Sequence, residues 1–343
     1  HKAINNLLLR TAEVCAKNQI AATFACTKET DAELQQIGVT VITNKDVIGW
    51  LRPGCVIGTT AWGFCRAELE QQFDYLFVDE AGQVSVANLV GMSNAAQNIV
   101  LIGDQMQLGQ PMQGTHPGES GKSTLDYLMG DQATIASDRG IFLDTTARMH
   151  PAVNEFISDA IYDGRLQAAD GNERQVVRVP NGYVGVLDRS AGIVVVPVRH
   201  AGNSQASDEE TAEIAAMATE LLARTLVDKR GDERRVGWED MLFVAPYNFQ
   251  VNKLRARLAL LPGGADAKVG TVDRFEGQEA AIVFVSMCSS DANDAPRGMD
   301  FLFDERRLNV AVSRAQSLAV VVMHPGLATT KAAREYRHRH KDY

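Results

Sequence analysis

No apolar run in this sequence approaches the roughly 20 residues needed to span a bilayer. The opening segment, His1 to Arg10, also lacks the long apolar core and small-residue cleavage site of a signal peptide. Cysteine is scarce: there are five, Cys15, Cys26, Cys55, Cys65 and Cys288, in apolar segments and without CxxC spacing. An odd number so placed excludes a disulfide frame and a zinc finger, and reads as reduced buried thiols. The expectation is therefore a cytoplasmic protein with no membrane partner. Basic residues are outnumbered, and the net charge of −9 excludes a uniformly basic nucleic-acid coat. It leaves room for a local positive groove, because phosphate binding depends on where charge sits. There is no fixed-period repeat and no low-complexity block.

What is present is an α/β rhythm. The 343 residues are 45% hydrophobic and 22% charged, as in ordinary α/β proteins, and suffice for about two domains. Residues 3–16 carry apolar positions at helical spacing. Short apolar runs follow at Ile20–Cys26, Val39–Ile42, Cys55–Ile57, Tyr75–Val78 and Asn98–Ile102. Such runs, bounded by Gly, Asp or Thr, are the signature of buried parallel strands. After a turn-rich stretch, Gly109–Ser123, a second series begins: Ile141–Leu143, Gly192–Val198, Met241–Val244, Val269–Val272, Ala281–Met287 and Leu318–Met323. Helices are expected between them over Pro151–Tyr162, Asp208–Val227 and Asn248–Leu260. Two strand–helix series imply two doubly wound sheets, residues 1–138 and 139–330, with a polar, partly basic tail over 331–343.

Two strands end in chemistry. Tyr75-Leu-Phe-Val-Asp79-Glu80-Ala81-Gly82-Gln83 runs from apolar residues straight into two acids, at the strand end where open α/β sheets bind ligands. One strand–helix unit later, Ile99-Val-Leu-Ile-Gly103-Asp104-Gln105-Met106-Gln107-Leu108 also ends in a polar cluster. Either alone could be a plain acidic turn. Both together, in this order, fit a nucleotide-hydrolysing site.

These two segments resemble motifs II and III of superfamily 1 helicases, in the branch related to the nonsense-mediated-decay RNA helicase. The likeness continues in order through Ala147-Arg148-Met149-His150-Pro151, Val244-Ala-Pro-Tyr247-Asn248, Gly270-Thr271-Val272-Asp273-Arg274-Phe275-Glu276-Gly277-Gln278-Glu279 and Arg307-Leu308-Asn309-Val310-Ala311-Val312-Ser313-Arg314-Ala315. It covers roughly residues 20 to 325 and looks closest to bacterial members fused to a RecB-like nuclease, so a fused or associated nuclease module is an expected partner. The resemblance implies two tandem RecA-like P-loop NTPase domains, with ATP and Mg2+ as cofactors. Asp79 would hold Mg2+, Glu80 would act on the attacking water, and Gln107 would sense the γ-phosphate. Arg148 and Arg314 would stabilise charge on the transferring phosphoryl group. Asp104, Gly277, Gln278 and Glu279 would bind nucleotide, Glu279 through the ribose hydroxyls. Thr27, Thr59, Thr60, Tyr247, Asn248 and Thr271 would contact a single strand of DNA or RNA. For Thr27 a capping role stands beside that one, and for Tyr247 and Asn248 an ordinary turn.

The implied activity is an ATP-driven 5′-to-3′ translocase whose two domains close on nucleotide. DNA is placed ahead of RNA, although backbone contacts serve either. The likeness breaks at one place. The Gly-rich phosphate loop should precede the first helix and is absent, which reads as missing upstream sequence and leaves the first domain without its P-loop strand. A non-hydrolysing nucleic-acid-binding fragment or scaffold is the alternative. Gly118-Glu-Ser-Gly121-Lys122-Ser123-Thr124 is a decoy, since GxxxxGKS needs glycine where His116 stands and no apolar strand leads into it. Ala147 stands where many relatives carry an aromatic, and Glu276 where a glutamine is usual. A nucleotide kinase or switch GTPase is opposed by the second strand series and the lack of a guanine-reading Asn-Lys-x-Asp.

Overall fold

The computed structural model describes residues 2–27, 32–109, 114, 116–275, 277–291 and 297–329. Glu276 and the expected tail, 331–343, lie outside the described residues. The chain divides into two compact units, His1–Gln132 and Ala133–Tyr343.

The first unit begins with helix α1 (Lys2–Lys17). Then come β1 (Thr23–Cys26), α2 (Ala32–Gln36), β2 (Thr40–Val41), α3 (Val47–Trp50), β3 (Cys55–Gly58), α4 (Ala61–Phe64), β4 (Phe73–Val78), α5 (Val86–Ser93), β5 (Ala96–Leu101) and α6 (Thr124–Met129). Strands β2-β1-β3 form one sheet and β4-β5 another, all paired in parallel. The apolar stripe of α1 closes the first sheet: Leu8 and Ala12 are buried with Phe24, Cys26, Leu34 and Val39. In β4, Leu76 and Val78 join a second core with Met92, Ala96 and Leu125, while Tyr75 and Phe77 alternate to the opposite, exposed face.

The second unit contains β6 (Thr145–Thr146), α7 (Pro151–Ile161), β7 (Gln167–Ala168), β8 (Val176–Val177), β9 (Gly192–Pro197), α8 (Asp208–Leu221), β10 (Thr225–Val227) and β11 (Glu233–Arg235). It continues with β12 (Met241–Val244), α9 (Asn248–Leu258), β13 (Lys268–Gly270), β14 (Ala280–Ser286), α10 (Gly298–Leu302), α11 (Glu305–Ser313) and β15 (Ala315–Met323). Its main sheet runs β13-β12-β14-β15-β9, every pair parallel. β14 is buried at every position, as a central strand covered on both faces must be. Phe243 and Phe284 stack at 5.1 Å between neighbouring strands. The fold is thus α/β with mostly parallel sheets.

Three sequence expectations change here. Ile141–Leu143 is not a strand: Ile141 and Leu143 are 87% and 75% exposed, and the chain pairs only from Thr145. Helix α8 stops at Leu221 rather than Val227, because Thr225–Val227 is β-rich and pairs antiparallel with β8 and β11. That small antiparallel sheet had no clear signal in the sequence, its members being two or three residues long. Finally, of the five cysteines expected to be buried, Cys26 and Cys288 are, whereas Cys15 and Cys55 are half-buried and Cys65 is exposed.

Candidate nucleotide and nucleic-acid site

In the first unit, the parallel pairing of β4 and β5 brings the two acidic strand ends side by side. The Ala81 amide donates to the Ile102 carbonyl (2.8 Å) and the Ile102 amide to the Val78 carbonyl (2.9 Å), so the ladder continues past both strands. The turn after β4 is sharp: Glu80 is left-handed at φ 53°, and its amide donates to Asp79 Oδ1 at 3.0 Å. Gly82 is required by closeness, since a Cβ there would lie 2.6 Å from the Asp104 carbonyl oxygen. Asp104 organises the second turn, with Oδ1 accepting from the Met106 amide (2.9 Å) and Oδ2 from Gln107 Nε2 (3.0 Å). Asp79, Glu80, Asp104 and Gln107 therefore lie on two adjoining turns.

The donor chemistry fits Mg2+, a hard cation that takes one or two carboxylates and completes its shell with water and phosphate. Among the described residues no group of three or more metal-ligating side chains occurs, so a dedicated all-protein cage is not what this site offers.

The other strand ends of this unit carry hydroxyls. β1 and β3 are parallel neighbours, and the Thr27 and Thr59 hydroxyls beyond them meet at 2.6 Å. Thr59, 9% exposed, also donates to Asn44 Oδ1 at 3.2 Å. Thr60 is half-buried at the start of α4 without a side-chain capping bond. The decoy segment is accounted for locally: Lys122 is ion-paired to Glu119 at 2.5 Å, and Ser123 caps α6 by accepting from the Asp126 amide.

In the second unit several of the expected site residues converge from three distant segments. Pro151 opens α7, and His150 caps it by accepting the Ala152 amide on Nδ1 at 3.0 Å. Burial lowers the His150 pKa, favouring the neutral ring that this acceptor role requires. Asn172 holds the segment before it, donating to the carbonyls of Thr146 and Met149, both at 3.0 Å. Arg148, so placed, donates from Nε to Glu279 Oε2 (2.7 Å) and from Nη1 to the Ser313 carbonyl (3.2 Å). Arg314, at the end of α11 and only 4% exposed, donates from Nη1 to the Gln278 carbonyl at 3.3 Å.

Gly277 makes the turn into β14 at φ 71°, a conformation that excludes most side chains. Gln316, which the motif reading passed over, donates to Glu279 Oε1 at 2.9 Å; its place two residues beyond Arg314 was the available signal. Burial works to raise the Glu279 pKa, but the hydrogen bond and charge of Arg148, with help from Gln316, outweigh it and hold the carboxyl below its ordinary value.

The remaining expected residues of this unit are spread over other strand ends. Thr271, half-buried just after β13, accepts the Arg274 amide on its carbonyl. Tyr247 is 7% exposed, its ring 5.6 Å from Phe301 and its pKa raised, first of all by burial. Asn248 is exposed at the first position of α9. The segments around Thr271 and Arg314 are tied by an Asp273–Arg307 ion pair at 3.2 Å.

Two family profiles, both described as an AAA domain, match residues 121–325 and 10–111. The chain is 29% identical over 287 residues to "Putative helicase mov-10-B.1" of Danio rerio, covering 75% of this chain and 28% of that protein. It is 27% identical over 282 residues to "Helicase SEN1" of Saccharomyces cerevisiae (79% and 12% covered). To "DNA polymerase alpha-associated DNA helicase A" of Schizosaccharomyces pombe it is 28% identical over 322 residues (87% and 44%). It thus spans less than half the length of each of these relatives. Among solved structures, "Complex structure of Arterivirus nonstructural protein 10 (helicase) with DNA" aligns at TM-score 0.44 and 15% identity, covering 95% of this chain and 59% of that one.

Proposed function

The chain belongs to the superfamily 1 helicases, with AAA-domain matches in both of its units, and from that premise we propose that it is the motor of an ATP- and Mg2+-dependent translocase on single-stranded nucleic acid. The observation that carries the reading is the convergence of Arg148, Glu279, Gln278 and Arg314 in one unit, from segments far apart in sequence. Two permanently charged guanidiniums gathered there suit phosphoryl chemistry, where they stabilise charge spread over equatorial oxygens.

Each group has a definite task. Glu80 accepts the proton of the attacking water, and Gln107, held by Asp104, orients that water without adding charge. Arg148 and Arg314 donate to phosphoryl oxygens. Glu279 accepts from ribose hydroxyls once Arg148 exchanges its carboxylate for phosphate. Asp79 would hold Mg2+, which when bound neutralises phosphate charge. In the first unit Thr27, Thr59 and Thr60, and in the second Tyr247, Asn248 and Thr271, contact the phosphodiester backbone through hydroxyls, amides and side-chain amide groups.

No phosphate-cradling GxxxxGK loop occurs within these residues, so hydrolysis is to be measured in the full-length protein. The decisive test is nucleic-acid-stimulated ATPase with Glu80→Gln. Loss of a general base should slow turnover about 100-fold or more; an undiminished rate would refute the assignment. Strand binding that ignores ATP altogether would favour the second reading, a non-hydrolysing nucleic-acid scaffold.

A further inference from the structure

Glu279 is held from two sides within the second unit. Arg148 Nε meets Oε2, and in the proposed reaction the guanidinium leaves that oxygen for phosphate. Gln316 Nε2 donates to Oε1 at 2.9 Å. Being a neutral amide, it has far less pull toward phosphate than a guanidinium and can stay where it is. Its backbone is tied to the segment that carries Arg148, the Gln316 carbonyl accepting the His150 amide at 2.7 Å. Ala315 and Ser317, on either side of it in β15, are buried, so the half-buried Gln316 is anchored in the sheet.

The strand register breaks at this residue. Ala280 pairs with Ala315 and Ile282 with Leu318, so Gln316 and Ser317 of β15 together oppose Ala281 alone. One extra residue on one strand is a β-bulge, which interrupts the alternation of faces and re-aims a side chain; it is rare between parallel strands. From Leu318 to Val322 the pairing is regular again. The irregularity is thus confined to the two residues at which β15 turns a side chain onto Glu279. That carboxylate is 45% exposed. With no second anchor it would swing among rotamers once Arg148 left, and nucleotide binding would bear the cost of ordering it. The bond from Gln316 orders it beforehand.

We propose that Gln316 is a positioning residue for nucleotide recognition: it fixes Oε1 of Glu279 so that Oε2, once released by Arg148, is presented to a ribose hydroxyl. This rests on the nucleotide reading of Glu279 above and adds to it a residue that sets the preference for a nucleotide bearing those hydroxyls. The test is steady-state hydrolysis of ATP and of 2′,3′-dideoxy-ATP by the full-length protein, as wild type, Gln316→Leu, Gln316→Ala, Gln316→Lys and Glu279→Gln. Wild type should have a KM for ATP at least about tenfold below that for the dideoxynucleotide. Gln316→Leu keeps most of the volume and removes the donor. It should raise KM for ATP about 3- to 10-fold, with kcat and the KM for the dideoxynucleotide within about twofold of wild type. Gln316→Ala should do the same if leucine disturbs folding, and Gln316→Lys, which restores a donor, should recover most of the loss. Leucine and alanine variants that leave KM for ATP unchanged, or that impair both nucleotides alike, would overturn the proposal. If Glu279→Gln abolishes the preference for ATP while neither variant does, Glu279 keeps its ribose role and Gln316 loses its own. A wild type that hydrolyses both nucleotides equally well, or neither, would remove the ribose reading and this proposal together.

Discussion

Arg148 Nε lies 2.7 Å from Glu279 Oε2, a contact between residues 131 apart in sequence. Both side chains remain partly exposed, at 33% and 45%, so the pair contributes at most about 1 kcal/mol to stability. On the proposed function its role is chemical: Arg148→Ala should lower the kcat of ATP hydrolysis about 1,000-fold or more while moving the thermal midpoint by no more than about 4 °C. A large midpoint shift with little change in kcat would make the pair structural instead.

The same pair has a pH signature. The folded-state pKa of Glu279 lies below its ordinary 4.5, so its stabilisation is fully present above that value and is lost as pH falls through the folded pKa. Wild type should therefore exceed Glu279→Gln in thermal midpoint near neutrality, and the gap should close as pH falls below the ordinary carboxylate range. A gap that is constant across this range would show that the charge on Glu279 carries none of the effect.

Gly82 joins the two acidic turns by being small. Because a Cβ would stand 2.6 Å from the Asp104 carbonyl oxygen, Gly82→Ala must push the turns apart. We expect a loss of about 1–3 kcal/mol in urea unfolding and slower hydrolysis, since Gln107 is held by Asp104. Unchanged unfolding and turnover would mean that the turns need no such proximity.

Much of this arrangement was legible in the sequence because motif order and strand ends are local properties. Tyr75–Val78 and Asn98–Ile102 are short apolar runs ending in polar clusters, and each became most of a parallel strand. What could not be read were contacts made only by folding. Nothing in the order of residues joins Thr27 to Thr59, or says that Gln316 and Arg148 share Glu279. Apolar composition also misled at Ile141–Leu143, where Ile141 and Leu143 stay exposed and, among the described residues, no strand pairs with the segment. Near Thr225 the opposite happened: helix α8 gave way to a strand because β8 and β11 were there to pair with it.

Lys122 illustrates why a short motif needs its context. It follows a turn rather than a strand, is paired with Glu119, and leads into a helix of only six residues. Lys122→Ala should therefore leave nucleotide affinity unchanged in equilibrium titrations. A tenfold or greater weakening would restore this segment as a phosphate loop.

Cys288 sits in a sealed polar knot. Glu210 Oε2 accepts from Ser286 Oγ (2.6 Å) and from the Cys288 amide (2.9 Å), while Oε1 lies 3.0 Å from His200 Nε2. Burial first, and then the charge of Glu210, push the Cys288 thiol far above its ordinary range. Thiolate is the reactive form, so Cys288 should resist alkylation in the native protein while the exposed Cys65 reacts. Glu210→Ala strands buried donors and should cost about 3–5 kcal/mol in urea unfolding. If that variant still folds, its Cys288 should become labelled through local opening; native labelling of Cys288 in the wild type, as fast as that of Cys65, would contradict the sealed knot.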